Sequence, residues 1–245
     1  VRQAIGRRET MGMQTELRRL YENAWPSLRE VLGPIAEARK LSNPLLLDPE
    51  AHAYQQSPVR WMAVGRETNG WGTGHFGSMT IDDLLSEYKS FQLGRGYKGW
   101  HTKPFFKFLH DLHARLNPDG PQDGFVLSEL FKVDEAADTP NDDIKEHLRR
   151  SFNVLPEEIR VTSPQAVVFL TSADLDNWLA KFFPGCDLEP IGGYEHRDLA
   201  RIRHDCLPAD SFRTYHPGHL HYKPEKRESI LQAIADSVLG NTSRA

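Results

Sequence analysis

Apolar residues recur at helical spacing over residues 14–38, where Leu17, Leu20, Tyr21, Trp25, Leu28 and Val31 form one stripe. That period predicts an amphipathic helix, bent near Pro26. Residues 40–57 follow as a connector bearing Pro and Asn, with an apolar patch at Leu45-Leu46-Leu47. Short unbroken apolar runs predict buried strands at 60–64, 124–130 and 166–170, the last being the clearest. Met79 opens a helix carrying Ile81, Leu84, Leu85 and Tyr88, with Thr80 as N-cap and Asp82 and Asp83 in its first turn. Residues 92–103 read as a loop, after which Pro104 starts a helix carrying Phe105, Phe106, Phe108, Leu109 and Leu112. Residues 144–163 are helical with an interruption near Pro156. Thr171 or Ser172 caps a further helix with Leu175, Trp178, Leu179 and Phe182. Residues 188–202 hold two short strands around Gly192-Gly193, residues 212–215 lead into a polar loop, and 224–239 form a C-terminal helix.

Strands alternating with helices predict a three-layer α/β/α sandwich around a mainly parallel sheet of about four to five strands. The 245 residues, 39% of them hydrophobic, suit one large domain, although the length also allows two small ones. The expectation is a single domain over 1–245, with its core over about 58–240 and an N-terminal helical extension over 12–40.

The formal net charge of -4 gives no global case for an acidic partner, so nucleic-acid binding would need a local basic rim. Cys186 and Cys206 are expected as reduced thiols, with a disulfide left open by spacing alone. Two cysteines cannot supply the four ligands of a typical iron–sulfur cluster. No apolar stretch reaches the roughly 18 residues of a membrane span. Val1 to Met13 carries arginines without the apolar run of a signal peptide, and Met11 and Met13 are alternative starts. These features predict a cytoplasmic protein that engages no membrane; a monomer is the working expectation.

Two segments carry the chemistry. Gly65-Arg66-Glu67-Thr68-Asn69-Gly70-Trp71 and Thr214-Tyr215-His216-Pro217-Gly218-His219-Leu220-His221 each follow a predicted strand. Loops at the carboxyl ends of parallel strands face one crevice, where open α/β sheets place ligands. Gly65 is read as a sharp turn ending the strand, and Asn69-Gly70 as a second turn. His216, His219 and His221 raise the question of a metal. No acidic or Cys ligand stands beside them and the spacing matches no standard zinc motif, so no metal is expected.

The two loops together resemble those of the uracil-DNA glycosylase superfamily in its broad sense. That family has an early loop of the type Gly-Gln-Asp-Pro-Tyr-His or Gly-Glu-Ala-Pro-Gly and a late loop of the type His-Pro-Ser-Pro-Leu-Ser. Here the early loop matches at Gly65, with Glu67 in place of the water-positioning Asp and no Pro after it. The late loop matches at His216, Pro217 and Leu220. The likeness spans roughly residues 60–239. It implies a base-flipping DNA glycosylase-like hydrolase, acting on damaged duplex or single-stranded DNA without a cofactor.

The resemblance gives Glu67 and His216 the catalytic roles. It assigns base binding to Gly65 and Arg66, to Trp71 or Phe76 as a stacking ring, and to Ser128 or Glu129 at the family's uracil-reading Asn. Neither Ser128 nor Glu129 has that amide's pattern of one donor and one acceptor. Pro217, Gly218, His219 and Leu220 would form the DNA wedge, with Leu220 at its tip. Two other readings stand beside it. One is an inactive nucleic-acid-binding or protein-interaction module on the same scaffold. The other is an unrelated hydrolase of small molecules that uses Glu67 and His216 as acid and base.

Overall fold

Short apolar runs buried on both faces have one stable home, the middle of a parallel sheet covered by helices on each side. The computed structural model describes residues 12–220 and 224–242, the side chains of residues 219, 220 and 242 apart. The runs form β1 (Trp61–Glu67), β2 (Val126–Phe131) and β3 (Ala166–Phe169), joined by β4 (Asp187–Pro190), β5 (Leu199–Arg203) and β6 (Asp210–Thr214). The sheet has six strands in the order β2-β1-β3-β6-β5-β4. β1 pairs parallel with β2 and β3, and β3 with β6, while β5 is antiparallel to both β6 and β4. The mainly parallel α/β class is as predicted. The sheet is larger because the pair around Gly192-Gly193 extends it as a more exposed antiparallel edge.

The helices are α1 (Met13–Leu32), α2 (Ala36–Arg39), α3 (Ala51–Gln56), α4 (Ile81–Phe91), α5 (Pro104–Leu116), α6 (Asp142–Ser151), α7 (Leu155–Thr162), α8 (Asp176–Phe182), α9 (Pro217–Leu220) and α10 (Pro224–Thr242). α1 packs on α6 and α7, and α7 lies against β2. α5, α9 and α10 pack together, with α10 against β6. α1 continues through Pro26, which sits on its exposed face, and ends where Gly33-Pro34 begins a 3₁₀ turn. Thr80 and Asp83 close a capping box at the start of α4. Ser172 makes no side-chain cap. Its φ of 64° is left-handed, and its hydroxyl is used elsewhere. Among the described residues no helix is long and apolar enough to cross a membrane.

α1 is joined to the sheet by a buried polar network. Tyr21 Oη donates to Glu158 Oε1 at 2.8 Å and accepts from the Leu47 N–H at 2.9 Å. Lys132, just beyond β2, places Nζ 2.8 and 2.6 Å from the two oxygens of Glu158 and 2.6 Å from Ser128 Oγ. Lys132 is 2% exposed and Glu158 is fully buried, so each charge depends on the other. Lys132→Met is therefore expected to cost about 3–5 kcal/mol in urea unfolding, by leaving Glu158 uncompensated. Lys132→Met with Glu158→Leu should recover much of that loss. A single variant no less stable than the pair would show that the network is not needed.

Candidate active site

The chain runs from β1 to β2 on one side of the sheet and then crosses to β3 on the other. A crevice opens outside the strand ends at such a reversal. A cavity of about 560 Å³ occupies it, walled by the early loop, Leu127 and Glu129 of β2, the first turn of α5 and the late loop. Glu67, Arg66, Trp71, Glu129, His216 and Gly218 all line it, so the two predicted loops and one of the two β2 candidates share one space.

β1 does not turn at Gly65. It continues in extended form to Glu67, and Gly65 pairs with Glu129 across the sheet. The missing side chain serves close approach instead. A Cβ at residue 65 would meet Glu129 Oε2 at 2.0 Å. Successive strand residues face opposite sides, so Gly65 and Glu67 share a face, and the Glu129 carboxyl rests on the gap between β1 and β2. The turn comes later, at Gly70, whose φ is 71°.

Glu67 accepts a hydrogen bond from Thr139 Oγ1 at 2.8 Å and lies 3.6 Å from Arg66 Nε. Burial pushes its carboxyl above the usual range. Thr139 and Arg66 pull it back, and Asp138 and Asp134 push it up again. Glu129 is 6% exposed, and among the described residues its Oε2 has no hydrogen-bond partner. Burial pushes its carboxyl well above the usual range, the negative charge of Glu67 adds to this, and Lys132 opposes it. Neither neighbouring cation makes a hydrogen bond or ion pair to it. Lys132 is spent on Glu158, while Arg66 reaches Glu67, Thr139 and Asp174.

Asp134, 1% exposed, holds the early loop. It accepts from Thr68 Oγ1 at 2.8 Å and from the Gly70 and Ala137 N–H groups at 2.7 and 2.8 Å. Asn43 bonds Thr73, Gly77 and Ser78 further along it. The late loop hangs on Ser172, whose backbone N–H donates to Thr214 and whose hydroxyl accepts the His216 N–H at 2.9 Å. The His216 ring stacks on Phe105 with centroids 5.4 Å apart and planes inclined by 17°. The Gly218 N–H donates to His216 Nδ1 at 3.3 Å, so the proton of the neutral ring sits on Nε2.

Trp71 is a buried wall set edge-on to Tyr88 and Phe91. Phe76 is not a wall of this cavity. It packs on Trp25 of α1, 6.0 Å between centroids. Ser128 points to the opposite face of β2, toward Glu158 and Lys132. Pro217 is buried. The side chains of His219 and Leu220, and the whole of His221, lie outside the described residues, and with them the wedge tip. Cys186 and Cys206 are free thiols. Among the described residues no group of His, Cys, Asp or Glu is arranged to hold a metal ion.

The sequence reading missed Phe105, Tyr97, Thr139, Asp134 and the anchoring role of Ser172. Phe105 and Tyr97 carried a signal, since both lie in or beside a Gly- and aromatic-rich segment directly before α5. Tyr97 is half exposed at the cavity, and its ring meets Phe91 and Phe106. No family model matches the chain, and no curated protein is significantly similar to it.

Both acids bind protons more tightly in the fold than in the unfolded chain. Folding stability should therefore fall as pH rises from the ordinary Glu range of about 4.3 through their raised values. Glu129→Gln removes the larger contribution and should flatten that fall, measured as urea stability between about pH 5 and 8. An unchanged slope in Glu129→Gln would mean that Glu129 is not held protonated.

Proposed function

We propose that the chain is a DNA glycosylase-like hydrolase, which takes one damaged or modified base into this cavity and cleaves its N-glycosidic bond. The convergence of Glu67 and His216 on one aromatic-walled cavity carries the reading. A volume of about 560 Å³ is of the size that small-molecule sites use. A base can reach such a cavity only when extruded from a duplex or offered on a single strand. Lys103, exposed at the cavity rim, offers a cation to a phosphate, whereas Arg66 is engaged by Glu67 and Asp174.

The C1′–N bond breaks with its electron pair leaving on the base, whose oxygen gains negative charge. His216, with its proton on Nε2, donates a hydrogen bond to that oxygen. The Glu67 carboxylate stabilises the cationic sugar, orients the water that adds to C1′ and takes the proton this water gives up. Thr139 and Arg66 hold the carboxylate in place for both tasks. One observation favours an inactive binding module instead, because Glu67 Oε2 is already engaged by Thr139 with Arg66 nearby. On that reading Glu67→Gln leaves DNA binding intact and there is no turnover to lose.

Duplex and single-stranded oligonucleotides bearing uracil, hypoxanthine, xanthine or a modified pyrimidine decide between the two. Abasic product is expected with at least one. Glu67→Gln should slow its formation by about 100- to 10,000-fold, and His216→Ala by about 100- to 1,000-fold. Because burial raises Glu67, the acidic limb of the kcat profile should lie above the ordinary Glu range. Activity then falls as pH drops through that raised value. Absence of abasic product from every substrate, beside a working control enzyme, rules the hydrolase out.

A further inference from the structure

The longest stretch of the chain without Asp or Glu is 88–110, which carries five Lys or Arg in a protein whose net charge is -4. Three of those cations are answered from outside the stretch, Lys89 by Asp48, Arg95 by Asp123 and Lys107 by Asp111. Lys98 and Lys103 are exposed, and among the described residues neither makes an ion pair. Between them lies Tyr97, 50% exposed, the most open large apolar side chain among the described residues. The ring is firmly seated. Its centroid is 5.5 Å from that of Phe91 and 6.0 Å from that of Phe106, and the Tyr97 C=O accepts the Trp100 N–H at 3.2 Å. Gly94, with a φ of 92°, lets the segment lie close on α5, since a Cβ there would run into the Phe106 ring. Tyr97 and Lys103 both stand at the cavity.

We propose that residues 95–103 form a surface for single-stranded DNA outside the cavity, with Tyr97 stacking an unpaired base beside the mouth and Lys98 and Lys103 holding phosphates. A ring fixed on one side and open to solvent on the other, with unpaired cations around it and no acid, suits a base and its phosphates together. A duplex keeps its base faces covered by their neighbours, so it would gain from the lysines alone. An apolar protein segment would gain from the ring and leave both lysines without a partner. The surface includes neither Glu67 nor His216. It rests on reading the cavity as a site for a DNA base, which sets where the strand leads, but it does not require that a bond be cleaved.

Fluorescence anisotropy of the whole chain with labelled oligo(dT) of about 16 nucleotides, a blunt duplex of the same length and the matching oligo(U) tests it. Oligo(dT) is expected to bind about tenfold or more tightly than the duplex. Tyr97→Ala should weaken oligo(dT) binding by about 5- to 150-fold, the loss of one stack, and Tyr97→Phe should keep it. Replacing Lys98 and Lys103 together by Ala should make the slope of log affinity against log salt shallower by about 1.4, or about 0.7 for each phosphate. If Tyr97→Ala shifts the urea transition, Tyr97→Leu takes its place, keeping apolar packing on Phe91 and Phe106 without the ring, and it should weaken binding as much. The proposal is overturned if oligo(dT) does not bind, if the duplex or oligo(U) binds as tightly, or if loss of the ring leaves binding unchanged. Oligo(dT) binding that depends on Tyr97, with no abasic product from any oligonucleotide, would leave the inference standing and remove the hydrolase. Abasic product formed equally by wild type and the ringless variant, without tighter binding of the single strand, would do the reverse.

Discussion

The fold turns on how one buried strand disposes of its polar groups. β2 is covered on both faces, yet it carries Ser128 and Glu129 at its centre and Lys132 at its exit. In a low-dielectric interior each must be met or neutralised. Lys132 is met by Glu158 of α7, and Glu158 in turn takes the hydroxyl of Tyr21 from α1. One ion pair thus binds an N-terminal helix, a crossover helix and a sheet strand. It also explains why the segment read as an extension is part of the core, with Leu17, Tyr21, Leu28 and Leu32 fully buried. Glu158 satisfies Lys132 so fully that no hydrogen bond is left over for Glu129. The stability of one face of β2 and the unmet acid on the other therefore have a common origin.

The loops are positioned by similar means. The early loop follows a strand that does not bend at its glycine, so its course is set downstream by Asp134, a buried acceptor for three donors on two segments. The late loop is tied to the end of β3 through Ser172, which accepts the left-handed backbone that frees its hydroxyl for the His216 N–H. Phe105 then fixes the imidazole plane from the first turn of α5. Three elements far apart in sequence set one ring, so movement of any of them alters the cavity.

These long-range ties mark where sequence reading stops. The strands were legible because parallel strands buried on both faces are unbroken apolar runs, as at Trp61-Met62-Ala63-Val64 and Ala166-Val167-Val168-Phe169. The start of α4 was legible because a capping box is local, its partners Thr80 and Asp83 lying one turn apart. Glu67 and His216 were legible as polar residues at strand ends. Asp134 reaches back 64 residues to Gly70, and Thr139 reaches back 72 to Glu67. Nothing near either residue signals those contacts. Gly65 was misread for the same reason, since a glycine that turns and a glycine that makes room look alike until the neighbouring strand is in place.

Gly65, Glu67 and Glu129 together fix the charge state of the cavity. Two carboxyls near each other cannot both ionise cheaply, so they divide their roles according to surroundings. Glu67 has a hydroxyl donor and a guanidinium beside it, and both favour its anion. Glu129 has no donor on its Oε2, is more deeply buried and feels the charge of Glu67. Burial and the Glu67 charge thus favour the protonated form of Glu129, while Thr139 and Arg66 favour the anion of Glu67. Ionising Glu129 would place a second negative charge beside Glu67 and raise the affinity of Glu67 for a proton. Reversing the two environments would exchange their roles, and what prevents this is the spacing of one glycine and one threonine hydroxyl.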